Sequence, residues 1–167
     1  MKKILIALLF VLPFGLFARE NKIIKIGYIN VQNVLKSYSE GKKVVDYLKN
    51  LKDSYEKKKE ELENDIKRLE KELETRAKDL NENQVRDYLT QIESKRRELE
   101  AYVKNANQDI DKKEKEMLTP VYQKILQTIK EEAPKMRFNF IIDSKYVLVA
   151  DPDLDITDAI IRILEKK

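Results

Sequence analysis

Residues 44–80 and 85–133 are two consecutive stretches of charged, glycine-free sequence with helical apolar spacing, and they commit most of this chain to rods. A helix rises about 1.5 Å per residue, so each stretch spans roughly 50 to 70 Å, longer than a small domain is wide. Neither can bury itself alone. Every glycine (Gly15, Gly27, Gly41) and every proline (Pro13, Pro120, Pro134, Pro152) lies outside residues 42–119. That span therefore lacks the punctuation of a turn-rich fold.

From Val44 the apolar positions of the first rod are Leu48, Leu51, Tyr55, Leu62, Ile66, Leu69, Leu73, Ala77 and Leu80, with Lys58 and Lys59 interrupting the stripe. The second rod is more regular. Val85, Leu89, Ile92, Arg96, Leu99, Val103, Ala106, Ile110, Lys113 and Met117 alternate spacings of four and three, a heptad seam with two charged gaps. Between the rods, Asp79 to Gln84 contains Asn81 and Asn83, whose side chains compete with the backbone for hydrogen bonds. This predicts a reversal with its tip near 80–84 and an antiparallel helical hairpin over 44–118. The competing reading is one continuous helix of about 90 residues that dimerises in trans. Pro120, inside the helical pattern, is expected to kink or end the helix.

The two ends of the sequence have a different character. Residues 23–31 are β-branched and aromatic, with Ile24, Ile26 and Tyr28 on one face and Ile29 and Val31 on the other, which predicts a strand. Residues 138–143 alternate as a second strand, residues 146–150 read as a third with apolar residues on both faces, and Ser144-Lys145 reads as the hairpin turn between them. Asp155-Ile156-Thr157-Asp158 has the form of a helix start, and Ile156, Ile160, Ile163 and Leu164 give that last helix an apolar face. The fold class is thus α+β: a small sheet body, residues 19–43 and 119–167, with a coiled-coil hairpin arm inserted between its strands. So small a body buries too little surface to stand comfortably alone. It is expected to oligomerise through Ile24, Ile26, Tyr28, Phe140, Ile142, Val147 and Val149.

The N-terminus reads as a secretory signal over residues 1–18: Lys2 and Lys3, an apolar run from Ile4 to Leu12, a Pro13-Phe14-Gly15 break, and a small residue at Ala18 for cleavage. A membrane anchor is the alternative, but the run is short for the ~20 residues a bilayer span needs. Cleavage implies export. Net charge is +4 and falls to about +2 when Lys2 and Lys3 leave, too little surplus to point to nucleic acid. With no Cys and no His, the usual nucleophile, general base and metal ligands are missing, so no enzyme and no cofactor is expected. The Asp151-Pro152-Asp153-Leu154-Asp155 run lacks the glycine and closing glutamate of a calcium loop and reads as a turn followed by a cap. Lys95, Arg96 and Arg97, with Lys104, are the densest basic cluster on the second rod and a candidate contact for lipopolysaccharide or an anionic lipid surface. Glu93, Glu98 and Glu100 among them favour a salt-bridged face. The rod tyrosines, Tyr47, Tyr55, Tyr88 and Tyr102, read as packing residues, with client contact the alternative.

Ile26-Gly27-Tyr28-Ile29-Asn30, then Val34-Leu35 and Ser39-Glu40-Gly41-Lys42-Lys43, resemble the Skp/OmpH family of periplasmic chaperones. So do Phe140-Ile141-Ile142-Asp143, Val147-Leu148-Val149-Ala150-Asp151-Pro152 and Asp155-Ile156-Thr157-Asp158, and the resemblance covers residues 23–165. It implies a homotrimer whose arms surround a cavity that holds unfolded outer-membrane β-barrel proteins without nucleotide. Asn30 and Asn33 stand where the family often has Asp and Arg. The arm carries 18 Lys or Arg against 20 Asp or Glu over residues 44–118, so the implied cationic cavity is not matched. Apart from the resemblance, the residues also permit an exported coiled-coil spacer of the cell envelope.

Overall fold

The computed structural model describes residues 23–166, so the signal segment and its cleavage point lie outside the described residues. In chain order the elements are β1 (Ile26–Ile29), α1 (Val31–Ser37), α2 (Ser39–Arg76), α3 (Glu82–Glu132), β2 (Phe140–Asp143) and α4 (Thr157–Leu164). Among the described residues no helix is long and apolar enough to cross a membrane.

α2 and α3 fold back on each other as an antiparallel hairpin. The pairing is marked along its length by Lys124 with Glu40, Lys52 with Glu114, Tyr55 with Asp109, and Arg96 with Glu70. The reversal occupies residues 77–81, slightly earlier than the tip expected at 80–84. Asn81 ends the turn because it caps α3: its side chain accepts from Gln84 N at 3.0 Å, and the Gln84 side chain accepts from Asn81 N at 2.9 Å. Two otherwise unpaired backbone donors are thereby satisfied, and Glu82 to Gln84 become the first helical turn.

Pro120 does not end the helix, since α3 runs unbroken through it. A proline inside a helix forfeits one backbone bond and crowds the preceding turn. Here tertiary packing holds both sides, with Leu118 against the body core and Val121 and Ile125 buried within it.

β1 and β2 pair in parallel, with Ile26 opposite Phe140 and Tyr28 opposite Ile142. Parallel neighbours need a crossover connection, and the whole arm serves as that connection. On its other edge β1 is closed by the chain ahead of α4, where Ile156 N donates to the Tyr28 carbonyl at 3.0 Å. Asn30 N then donates to Thr157 Oγ1 at 2.9 Å. The cap of α4 is shifted relative to expectation: Asp155 accepts from Thr157 N at 2.8 Å, while the residue at the cap itself is Ile156.

The third strand expected at residues 146–150, with its hairpin turn at Ser144-Lys145, does not form. Asp143 accepts from Lys145 N at 3.1 Å and starts a single 3-10 turn over Ser144–Tyr146, which carries the chain away from the edge of β2. Beyond it Leu148 is fully exposed and Val149 is 93% exposed. An apolar run with strand propensity still needs a neighbouring strand to bond, and among the described residues none comes to that place.

The body core joins both ends of the sequence: Ile29, Val34, Leu35, Tyr38, Val121, Ile125, Ala133, Phe138, Ile156, Ile160 and Leu164. Each fully buried aliphatic in such a cluster contributes about 2–5 kcal/mol relative to alanine. α3 leaves this core through Arg137, whose φ of 62° is left-handed, and Phe138 N bonds back to the Ala133 carbonyl at 2.9 Å. That bond closes the helix end.

Candidate functional site

The register of β1 and β2 sorts by face the residues expected to mediate oligomerisation. Gly27 and Ile29 turn toward the core, with Phe138 lying so close over Gly27 that an added Cβ would meet its ring at 2.9 Å. On the opposite face Ile26 is 46% and Phe140 59% exposed, Ile142 is also exposed, and Tyr28 is half-buried. Ile24, just ahead of β1, is exposed as well. Val147 is half-buried and Val149 stands free beyond the 3-10 turn. Five of the seven are thus exposed apolar side chains, four of them on or beside one small sheet, and among the described residues no strand covers the outer edge of β2.

The root of the arm is held by a cluster that sequence reasoning missed. Tyr38 separates α1 from α2 and buries its ring, while its hydroxyl donates to Glu40 at 2.5 Å and Lys124 donates to the same carboxylate at 2.9 Å. The Lys124 ammonium also lies 5.2 Å from the centre of the Tyr38 ring. The tyrosine hydroxyl, and after it the ammonium, holds the Glu40 carboxyl below the usual carboxylate range. Burial, and then the neighbouring carboxylate, raises the pKa of Tyr38, while hydrogen bonds to Tyr38 and Glu40 raise that of Lys124. On the other side of the break, Ser39 N donates to the Glu165 carboxylate at 2.5 Å, which ties the arm to the end of α4. In the sequence the run Ser37-Tyr38-Ser39-Glu40-Gly41 has cap and turn chemistry, which by itself points only to a turn.

Along the arm the seam is uneven. Near the tip Ile66, Leu69 and Ile92 form a buried cluster with Leu73, Tyr88 and Leu99 against it. Toward the middle, where Lys58 and Lys59 interrupt the stripe, Tyr55 and Tyr102 meet edge to face at 6.1 Å. Tyr55 donates to Asp109 at 2.8 Å, and that bond raises its pKa. A cavity of about 380 Å³ opens here between Lys52, Tyr55, Lys59, Tyr102, Val103 and Ala106. Three of the four rod tyrosines therefore line the seam or its edge, and Tyr47 is exposed.

The basic cluster is largely engaged. Lys95 pairs with Glu98 at 2.8 Å, Arg96 with Glu70 at 2.5 Å and Arg97 with Glu93 at 2.8 Å, while Lys104 is exposed. The Asp151 and Asp155 carboxylates accept from the backbone of Asp153 and Thr157, which makes them turn caps.

Residues 25–164 match the family described as outer membrane protein (OmpH-like). A crystal structure of a candidate OmpH-like outer membrane chaperone from Caulobacter crescentus CB15 is similar in fold, with a TM-score of 0.67 at 17% identity over 86% of this chain and 85% of that one. No curated protein matches the chain.

Proposed function

The chain belongs to the OmpH-like outer membrane protein family, and from that premise we propose that it is an ATP-independent periplasmic holdase chaperone. Three copies join through the sheet face, and their arms enclose unfolded outer-membrane β-barrel proteins and keep them from aggregating during transit. The signal read at residues 1–18 would deliver the chain to the periplasm. The observation that carries this reading is the uncovered apolar face of Ile26, Phe140 and Ile142, beside the free stretch at Val149, at the root of a long arm. Apolar surface in water costs about 25 cal/mol per Å² left unburied, and a contiguous patch of it marks an interface. The open edge of β2 offers backbone donors and acceptors to a neighbouring chain. Clefts on the single chain are open grooves along the arm and its root, so enclosure requires several arms. The tyrosine-lined middle of the seam supports arms that yield to clients of different size.

The test is native mass spectrometry of the mature chain, alone and after mixing with a urea-unfolded outer-membrane β-barrel protein diluted into buffer. A trimer that takes up one client chain is the expected result. An oligomer that leaves the client to aggregate would favour the second reading, an envelope spacer. That alternative draws its support from α3, which continues as one helix through Pro120. Contact with lipopolysaccharide or an anionic lipid surface through Lys95, Arg96, Arg97 and Lys104 draws less support, because the first three already face carboxylates.

A further inference from the structure

Leu89 belongs by spacing to the heptad seam, yet it is 54% exposed and lines a groove of about 470 Å³ between α2 and α3 near the arm tip. Its floor is Leu73, Leu89 and the buried Ile92, and its rim is Glu70 and Glu74 from α2 with Glu93 and Arg96 from α3. We propose that this groove docks a cationic amphipathic segment of an extended polypeptide, an apolar side chain flanked by Lys or Arg. The proposal rests on the holdase reading and deepens it by naming the chemistry of the client stretch that the arm tip takes.

Charge selects this occupant. Arg96 is the only cation on the lining and is already bonded to Glu70 at 2.5 Å, while Arg97, outside the groove, is bonded to Glu93 at 2.8 Å. Glu74 has no ion-pair partner among the described residues, so the rim keeps a negative surplus around an apolar floor. A segment carrying Asp or Glu would meet like charge at that rim, and so would an anionic lipid surface. An uncharged apolar segment would gain the floor and leave the rim unanswered. The volume suits one or two side chains of a passing chain. The groove on the other side of the tip has no such surplus, because Arg68, Arg76 and Lys95 outnumber Glu72 and Asp87 on its lining.

The experiment uses the full mature oligomer and two fluorescein-labelled 12-residue peptides of equal leucine content, one with Lys flanking each Leu and one with Glu, followed by anisotropy at low and at high salt. The Lys peptide should bind about five- to tenfold more tightly than the Glu peptide at low salt, with the preference shrinking as salt rises. Glu74→Lys should erase the preference, and Leu89→Asn should weaken both peptides. Both positions are exposed, so the hairpin stays folded, and circular dichroism checks that. Equal affinities, a preference that survives Glu74→Lys, or no binding of either peptide would overturn the proposal. So would self-association that Leu89→Asn abolishes while the peptides fail to bind, since the occupant would then be a second copy. Client aggregation measured in parallel separates the two readings. Protection without peptide preference sinks the groove alone, and peptide preference without protection sinks the holdase.

Discussion

Gly41 lies in the first turn of α2, where a Cβ would stand 2.3 Å from the Leu35 carbonyl oxygen. That atom is backbone and cannot swing aside, so α1 would have to move off α2. Gly41→Ala is expected to cost about 1–3 kcal/mol in chemical denaturation, against helix propensity, which alone would favour alanine. The sequence alone leaves the role of Gly41 open, because a glycine kept for close approach and one kept for a turn read alike. Its neighbour Glu40 makes a prediction about pH. Its pKa is lower in the folded chain than in the unfolded one, so its contribution is present above the ordinary carboxylate range and is lost as pH falls through the folded value. Glu40→Gln should therefore lower stability at neutral pH and flatten the acid limb of a stability profile between about pH 5 and 3. The effect is small because the carboxylate is half exposed. A profile identical to that of the unaltered chain would remove the Tyr38–Glu40–Lys124 cluster from any role at the root.

The two helices of the arm were legible as elements because their signal is periodic and repeated over many turns. Asn81 shows how a local signal fixes an end. Asn81→Ala removes the side-chain acceptor for Gln84 N and should cost about 1 kcal/mol, confined to the tip. Hydrogen exchange over residues 82–90 should quicken while the body core is unchanged, and uniform quickening would mean that arm and body unfold as one. Pro120 does not end α3, and residues 146–150 form no strand, for a common reason. Propensity describes what a segment prefers alone, and both outcomes were settled by neighbours: a core that packs α3 on both sides of its proline, and, among the described residues, the absence of a strand for residues 146–150 to bond. Leu89 was misplaced in the same way, since its spacing fits the seam while its side chain stands half exposed in the groove beside it.

For the whole molecule, the expected consequence of the apolar sheet face is that Val147→Asp with Val149→Asp dissociates the oligomer. Native mass spectrometry would then show monomers that retain helical circular dichroism and no longer protect a client. An intact trimer would move the interface away from the 3-10 turn. The apolar residues on the outward face of the strands were legible because alternation assigns faces within one strand. Which face turned outward became certain only when Gly27 met Phe138 and Ile29 entered the core. The sequence by itself determined two long helices, a reversal between them close to Asn81, two strand cores and the final helix, since each is written in spacing over a few residues. The tertiary structure alone decided the parallel pairing of β1 with β2, the clamp between Tyr38, Glu40 and Lys124, the exposure of Leu89 in its groove and the stranding of Val149 in solvent. Those depend on contacts between residues far apart in the chain, or on a missing neighbour, and local periodicity carries no information about either.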